Sequence, residues 1–226
     1  MIKGILFDKD GTLLEFSNFW IDSTIEFIKS FNIKKEESKN LLDSLGVRED
    51  KVLENSLLAS ATIKDIAIHI ANFLCEDRTY INKSLDDFYY QALVENKNNI
   101  KATCDLENLF TSLKDKGIKI GLVTSDNYRQ AEYSFRQLGM DSYIDFYASG
   151  DRYKKKPEKE CLYAFMEKFK LNPSEIAVCG DSKIDMELGF KDSLKVAVLS
   201  GTGSCQMLTD YADIIVKNPE KILKIL

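Results

Sequence analysis

Asp8, Asp10, Asp181 and Asp185 are the side chains in this 226-residue sequence whose type and spacing best suit chemistry. Asp8 follows the apolar run Ile2-Lys3-Gly4-Ile5-Leu6-Phe7 and opens the segment Asp8-Lys9-Asp10-Gly11-Thr12. Two residues on, Asp10 can point into the same region once the chain turns at Gly11. Asp181 follows Ile176-Ala177-Val178-Cys179-Gly180, and Asp185 lies one helical turn further, so the two can face the same side. Taken singly, each segment also has a plain structural reading, as a turn or as a helix N-cap with a surface Asp. Taken together they follow strand-like runs, and ligands of open parallel sheets gather at the carboxyl ends of strands. Two like charges about 4 Å apart repel by ~4 kcal/mol at an effective dielectric near 20, so such a cluster calls for a cation. Hard oxygen ligands favour Mg²⁺ over a softer metal.

Two further segments add phosphate-binding groups. In Leu122-Val123-Thr124-Ser125-Asp126-Asn127 a hydroxyl, Thr124 or Ser125, and the N–H groups of the following turn can hold phosphate oxygens. The alternative is a simple N-cap for a helix starting near Tyr128. In Lys154-Lys155-Lys156-Pro157 a lysine supplies a point charge for phosphate. Pro157 suits the first turn of a helix, which would place Lys156 at a loop–helix junction. Metal, nucleophile, proton-transfer group and two phosphate clamps form a near-complete set for phosphoryl transfer. The single histidine, His69, rules out His triads and multi-His metal sites and reads as structural or surface. A Ser hydrolase built on Ser182 would lack a base, so hydrolysis must rest on carboxylates.

These groups need a scaffold. From about Lys101 onward, β-rich runs at Ile118–Val123, Ile176–Cys179, Lys195–Leu199 and Asp213–Val216 alternate with amphipathic helical patterns. Such alternation predicts an α/β layer with a parallel sheet that the first run, Ile2 to Phe7, also joins. Residues 15–99 show helical spacing instead: Phe19 to Ile28, Leu41 to Leu45 closed by Gly46, Leu53 to Leu58, Ile63 to Leu74, and Leu85 to Leu93. No strand is expected there. The division is a core of residues 1–14 and 100–226, with a helical insert of 15–99 after the first strand. Phe19, Trp20, Tyr89 and Tyr90 could line a pocket, although aromatic residues at helical spacing more often pack.

Composition narrows the class. Hydrophobic residues make up 44% and charged residues 30%, the balance of a soluble globular protein. No run is long enough to span a bilayer, and the N-terminal residues lack the apolar core of a signal peptide. The net charge of −5 argues against nucleic acid, since Lys154-Lys155-Lys156 is the one basic run. Five scattered cysteines without a CxxC pair fit free thiols in a reducing compartment, so a cytoplasmic location is expected. No signal for an oligomeric state is present.

In order and spacing these residues resemble the haloacid dehalogenase superfamily of phosphatases. Asp8-Lys9-Asp10-Gly11-Thr12 is similar to its first motif, DxDGT. Thr124 matches the second-motif hydroxyl and Lys156-Pro157 the third-motif lysine. Gly180-Asp181-Ser182 through Asp185 and Gly189 matches the fourth motif, GDSxxDxxxG. The resemblance implies a Rossmann-like core with the helical segment as a C1 cap, closest to phosphoglycolate-phosphatase-type members. It implies Asp8 as a nucleophile forming an aspartyl-phosphate, and Asp10 as general acid and then base. Thr124 and Lys156 would bind the phosphoryl group. Mg²⁺ would be held by Asp8, the carbonyl of Asp10 and Asp181, with Asp185 beside them. The partner implied is a small phosphorylated metabolite. One departure is Lys159, where the family often has a second proline; this opens the possibility that Lys155 stands in for Lys156. The alternatives are a phosphomutase of the same superfamily and, from another class, a receiver-like phospho-acceptor module without turnover.

Overall fold

The computed structural model describes residues 1–15, 19–48, 51–53 and 56–226, without the side chains of residues 19, 51, 59 and 60. In chain order the strands and helices are β1 (Gly4–Asp8), α1 (Phe19–Lys29), α2 (Lys35–Leu45), β2 (Val47–Arg48), β3 (Lys51–Val52), α3 (Leu57–Ser60), α4 (Ile63–Leu74) and α5 (Arg78–Glu95). Then follow α6 (Leu106–Asp115), β4 (Lys119–Val123), α7 (Tyr128–Gln137), β5 (Phe146–Ala148), α8 (Glu160–Phe169), β6 (Ile176–Gly180), α9 (Lys183–Leu188), β7 (Leu194–Val198), α10 (Cys205–Leu208) and β8 (Ile214–Val216).

The main sheet has six strands in the order β5-β4-β1-β6-β7-β8, all parallel. Parallel strands need crossovers, and the helices supply them on both faces, which is why the strands read as nearly continuous apolar runs. Ile5 and Phe7 of β1 join Leu109, Phe110 and Phe135 from α6 and α7 on one face. Leu6 between them joins Leu162 and Phe165 of α8 on the other. From β1 the chain builds outward through β4 and β5, then returns to the other side for β6, β7 and β8. The order therefore reverses between β1 and β6, where the carboxyl ends leave a crevice. Asp8 ends β1 and Asp181 follows β6, so both acids open onto it.

Helices α1 to α5 bury a separate core of Ile28, Leu41, Leu45, Ile66, Ile70, Ile81 and Leu85. Their ends are set by local chemistry. The Thr62 hydroxyl accepts the Asp65 N–H at 3.2 Å and the Asp77 carboxylate accepts that of Tyr80 at 2.8 Å, while Gly46 closes α2. The two connections to this segment run side by side. Glu15 N–H donates to the Lys101 carbonyl at 2.8 Å and Thr103 N–H to that of Leu13 at 3.0 Å. The segment rests on the sheet domain through α5, whose Asp86 and Asp87 meet Arg129 of α7 at 2.6 and 2.8 Å.

Three expectations need correcting. A small antiparallel hairpin, β2 with β3, interrupts the helical stretch; at two residues per strand it is too short to leave an alternating pattern. Leu53 lies outside any helix and is exposed, with the helix expected around it confined to α3. Pro157 is in a turn ahead of α8, which begins at Glu160, so Lys156 is presented by a loop and not by a helix start. Among the described residues no helix is long and apolar enough to cross a membrane.

Candidate active site

Asp8 is 8% exposed at the end of β1. One oxygen accepts a hydrogen bond from Lys156 Nζ at 2.6 Å; the other, Oδ2, is buried and has no hydrogen-bond partner. Lys156 also donates to Asp185 Oδ1 at 2.7 Å, bridging the two acids. Asp185 Oδ2 accepts from both the N–H (3.0 Å) and the hydroxyl (2.5 Å) of Ser182. Ser182 in turn caps α9, so the turn of helix that Asp185 occupies fixes its carboxylate. Asp181 Oδ2 accepts from the N–H (2.7 Å) and hydroxyl (3.1 Å) of Thr202, in the loop after β7.

That loop approaches so closely that a Cβ on Gly201 would lie 2.0 Å from Asp181 Oδ2. On the other side Gly11, with φ of 84°, turns the chain after Asp10 in a conformation that favours glycine. The Ser200 hydroxyl ties the two loops by donating to the Gly11 carbonyl at 2.8 Å.

Carboxylate oxygens from Asp8, Asp181 and Asp185 all come within 4.8 Å of one another. Burial raises the Asp8 pKa well above the usual carboxylate value, against the pull of Lys156. It also pushes Asp181 up to about 6, helped by the charge of Asp185. Burial opposes the charge on Lys156, yet Asp185 and Asp8 outweigh it and hold its pKa above the ordinary lysine value. Three buried acids, two of them bonded to one lysine, leave an uncompensated negative site. The orphaned, buried oxygen of Asp8 and this oxygen-only donor set fit a hard cation.

Asp10 does not join that trio. Both of its oxygens lie 2.8 Å from Lys9 Nζ, which reaches Asp126 Oδ2 at the same distance. Lys9 is 2% exposed, and its ammonium stands 5.6 Å from the centre of the Trp20 ring. Burial works against its charge, but Asp10 and Asp126 hold its pKa above the usual value. Asp126 itself is pushed up to about 6 by burial, with Lys9 working against the rise. Thr124, at the end of β4, donates its N–H to the Ala148 carbonyl at 2.9 Å, and its hydroxyl accepts the Asp126 N–H at 3.1 Å. Asn127 makes no side-chain cap on α7 and bonds to Asp86 at 2.7 Å, so the simple N-cap alternative does not describe this turn.

All seven side chains singled out in the sequence, Asp8, Asp10, Thr124, Ser125, Lys156, Asp181 and Asp185, line one cleft of about 690 Å³. Lys155 is elsewhere, paired with Asp65 at 2.9 Å. Lys159, in place of the family's second proline, donates to the carbonyls of Glu187, Leu188 and Gly189 at 2.7 to 2.9 Å. It thereby anchors the Lys156 loop to the end of α9. Trp20 and Tyr89 do line the cleft. Tyr90 instead packs on Tyr133 and Arg129 where α5 meets α7, and the side chain of Phe19 lies outside the described residues. His69 bonds to Ser44 at 2.8 Å within the helical segment. Sequence reasoning passed over Lys9, Asp126 and Thr202. A lysine between two acids and a hydroxyl between two glycines, Gly201-Thr202-Gly203, were the signals available.

Residues 5–199 match the family model described as haloacid dehalogenase-like hydrolase. A Clostridium perfringens protein named for the pyrophosphatase PpaX is 30% identical over 84% of this chain and 79% of its own length. A phosphoglycolate phosphatase of Vibrio parahaemolyticus is 28% identical over 82% and 78%. Among solved structures, CbbY from Rhodobacter sphaeroides in complex with phosphate superposes with a TM-score of 0.72 at 19% identity, covering 98% of this chain and 96% of that one. The chain belongs to the haloacid dehalogenase-like hydrolase family and is an enzyme of it.

Proposed function

We propose that this enzyme is a Mg²⁺-dependent phosphatase that passes the phosphoryl group of a small phosphate monoester to Asp8 and then to water. The observation that carries this reading is the unpartnered, buried Oδ2 of Asp8, a residue that lines the cleft together with Lys156. Phosphatases among the relatives' names support the same chemistry.

Lys156 and the Thr124–Ser125 turn receive the phosphoryl oxygens. Asp8 attacks phosphorus as the bond to the leaving oxygen breaks, and Asp10 acts as the general acid that gives that oxygen its proton. Water then attacks phosphorus; Asp10 takes the proton from it, the bond to Asp8 breaks, and inorganic phosphate leaves. Asp8, Asp181 and the backbone carbonyl of Asp10 would hold Mg²⁺, with Asp185 closing the cluster behind Lys156. When bound, the ion neutralises charge on the phosphoryl group and on these acids. Lys9 holds Asp10 through its ion pair, a positioning role.

Residues 15–99 act in this reading as a cap over a core of 1–14 and 100–226. Five free cysteines support a reducing, cytoplasmic setting. A phosphomutase would have to hold a second phosphate, and among the described cleft residues Lys183 is the one cation besides Lys156. A cleft of about 690 Å³ speaks for a bound substrate and against a receiver-like module. Phosphate release from a panel of phosphate monoesters, with and without Mg²⁺, tests the proposal. Turnover that survives complete metal removal would refute it.

A further inference from the structure

The part of the cleft lining that comes from the helical segment is mostly aliphatic and aromatic. From the helical segment come Trp20, Ile21, Leu58, Ile63, Ile66 and Tyr89. Tyr89 brings a hydroxyl, but it is engaged inside the segment with Thr24 at 2.7 Å. No described residue of residues 15–99 places a charged side chain on this lining. Lys9 comes close to the wall at Trp20, yet its charge is held by Asp10 and Asp126. Of the two lining cations, Lys156 is bound to Asp8 and Asp185, and Lys183 lies 3.4 Å from Glu187 and over the Tyr211 ring. Asp126 and Asp210 add to the negative charge of the lining.

A substrate carrying a second anionic group, a carboxylate or another phosphate, would therefore meet repelling acids and, among the described lining residues, a single cation outside the carboxylate cluster, Lys183, itself near Glu187. Hydroxyls of a polyol laid on the helical-segment side would be buried against aliphatic carbon and lose their water, whereas polar lining residues such as Ser182, Gln206 and Tyr211 come from the sheet domain. We propose that this enzyme selects phosphate monoesters whose leaving group is uncharged and apolar, the carbon of that group lying against the Ile63–Ile66 and Trp20–Tyr89 surface. The inference rests on the phosphatase reading above and sets this chain apart from relatives named for pyrophosphate and phosphoglycolate.

The test compares alkyl phosphates of rising length, ethyl to hexyl, with glycerol 3-phosphate, phosphoglycolate and pyrophosphate under Mg²⁺. The alkyl esters and glycerol 3-phosphate have alcohol leaving groups, so among them binding, not bond strength, decides. The expected kcat/KM rises about fourfold per added methylene until the cleft is filled. Hexyl phosphate exceeds glycerol 3-phosphate and phosphoglycolate by about tenfold or more. Phosphoglycolate or pyrophosphate turned over as well as hexyl phosphate would overturn the inference. Leu53, 41% exposed on the lining, allows a variant that leaves the core intact. Leu53→Arg is expected to shift the ratio toward phosphoglycolate, and an unchanged ratio would count against a charge-selecting wall. If no ester, p-nitrophenyl phosphate included, is hydrolysed, the phosphatase reading fails by itself. Thermal shifts with hexylphosphonate and phosphonoacetate then decide the inference: a larger shift with hexylphosphonate upholds it, and one with phosphonoacetate overturns it.

Discussion

The sheet edge and the helical segment meet the same cleft with opposite chemistry. From the sheet come Asp8, Asp181, Asp185 and Lys156, each buried or nearly so and each held by charge-assisted bonds of 2.5 to 3.1 Å. From the helices come aliphatic and aromatic surfaces that need only shape. Buried charge is costly unless paired, so the sheet side tolerates few exchanges, whereas the apolar side tolerates many of similar volume. The contrast assigns reaction to one side and selection to the other. Substitutions on the sheet edge should change kcat by orders of magnitude, and those on the helical wall should redistribute kcat/KM among substrates.

The largest effect expected is from Asp8→Asn, which removes the attacking oxygen while keeping the shape. Steady-state turnover falls by about 10³-fold or more with circular dichroism unchanged. Lys156→Met comes next. It loses a phosphate clamp worth about 10²–10³ in kcat and leaves Asp8 and Asp185 without their cation. The metal-free melting temperature should fall, and Mg²⁺ should recover part of it. Lys9→Met should lower kcat by about tenfold, because Asp10 loses the ion pair that orients it. The loss should be larger for an alkyl ester than for p-nitrophenyl phosphate, whose leaving group needs no proton; an equal loss would mark Lys9 as merely structural.

Protonation offers a subtler probe. Asp181, at about 6 in the folded chain, and Asp8, also raised, keep protons that the unfolded chain gives up near the ordinary value of 3.8. The metal-free protein is therefore favoured at low pH and loses that contribution as pH rises from about 4 through about 6. Metal binding needs the ionised forms and runs the other way. The rise in melting temperature on adding Mg²⁺ should be larger at about pH 7.5 than at about pH 5. A uniform Mg²⁺ effect across that window would break the assignment of the cation to these carboxylates. The smallest effect belongs to His69→Gln, expected to leave kcat within about twofold, because its ring meets Ser44 inside the helical segment, away from the cleft lining.

How much of this was legible beforehand follows from how each feature is encoded. The acids at strand ends could be read because a buried parallel strand leaves an apolar run, and the residue after it falls at the crevice. Lys156 could be picked from three lysines by its place before Pro157, although the expected helix start was wrong; the loop is held instead by Lys159 on the carbonyls ending α9. The hairpin between α2 and α3 left no pattern because two residues cannot alternate. Lys9, Asp126 and Thr202 were invisible for a different reason. Their roles arise from pairings across separate loops, and no local periodicity records that Lys9 faces Asp126 or that Thr202 closes on Asp181. The apolar wall was half-seen: Trp20 and Tyr89 were candidates, but which aromatic faces the cleft depends on helix packing that spacing alone does not fix.

The central claim, that Asp8 carries the phosphoryl group, is tested most directly by trapping it. Mg²⁺-loaded Asp10→Asn protein is mixed with p-nitrophenyl phosphate, quenched in acid and reduced with borohydride, and the peptide containing residue 8 is analysed by mass spectrometry. The predicted result is conversion of Asp8 to homoserine, absent when Asp8→Asn is combined with it; an unmodified Asp8 after a full burst of nitrophenol would contradict the account.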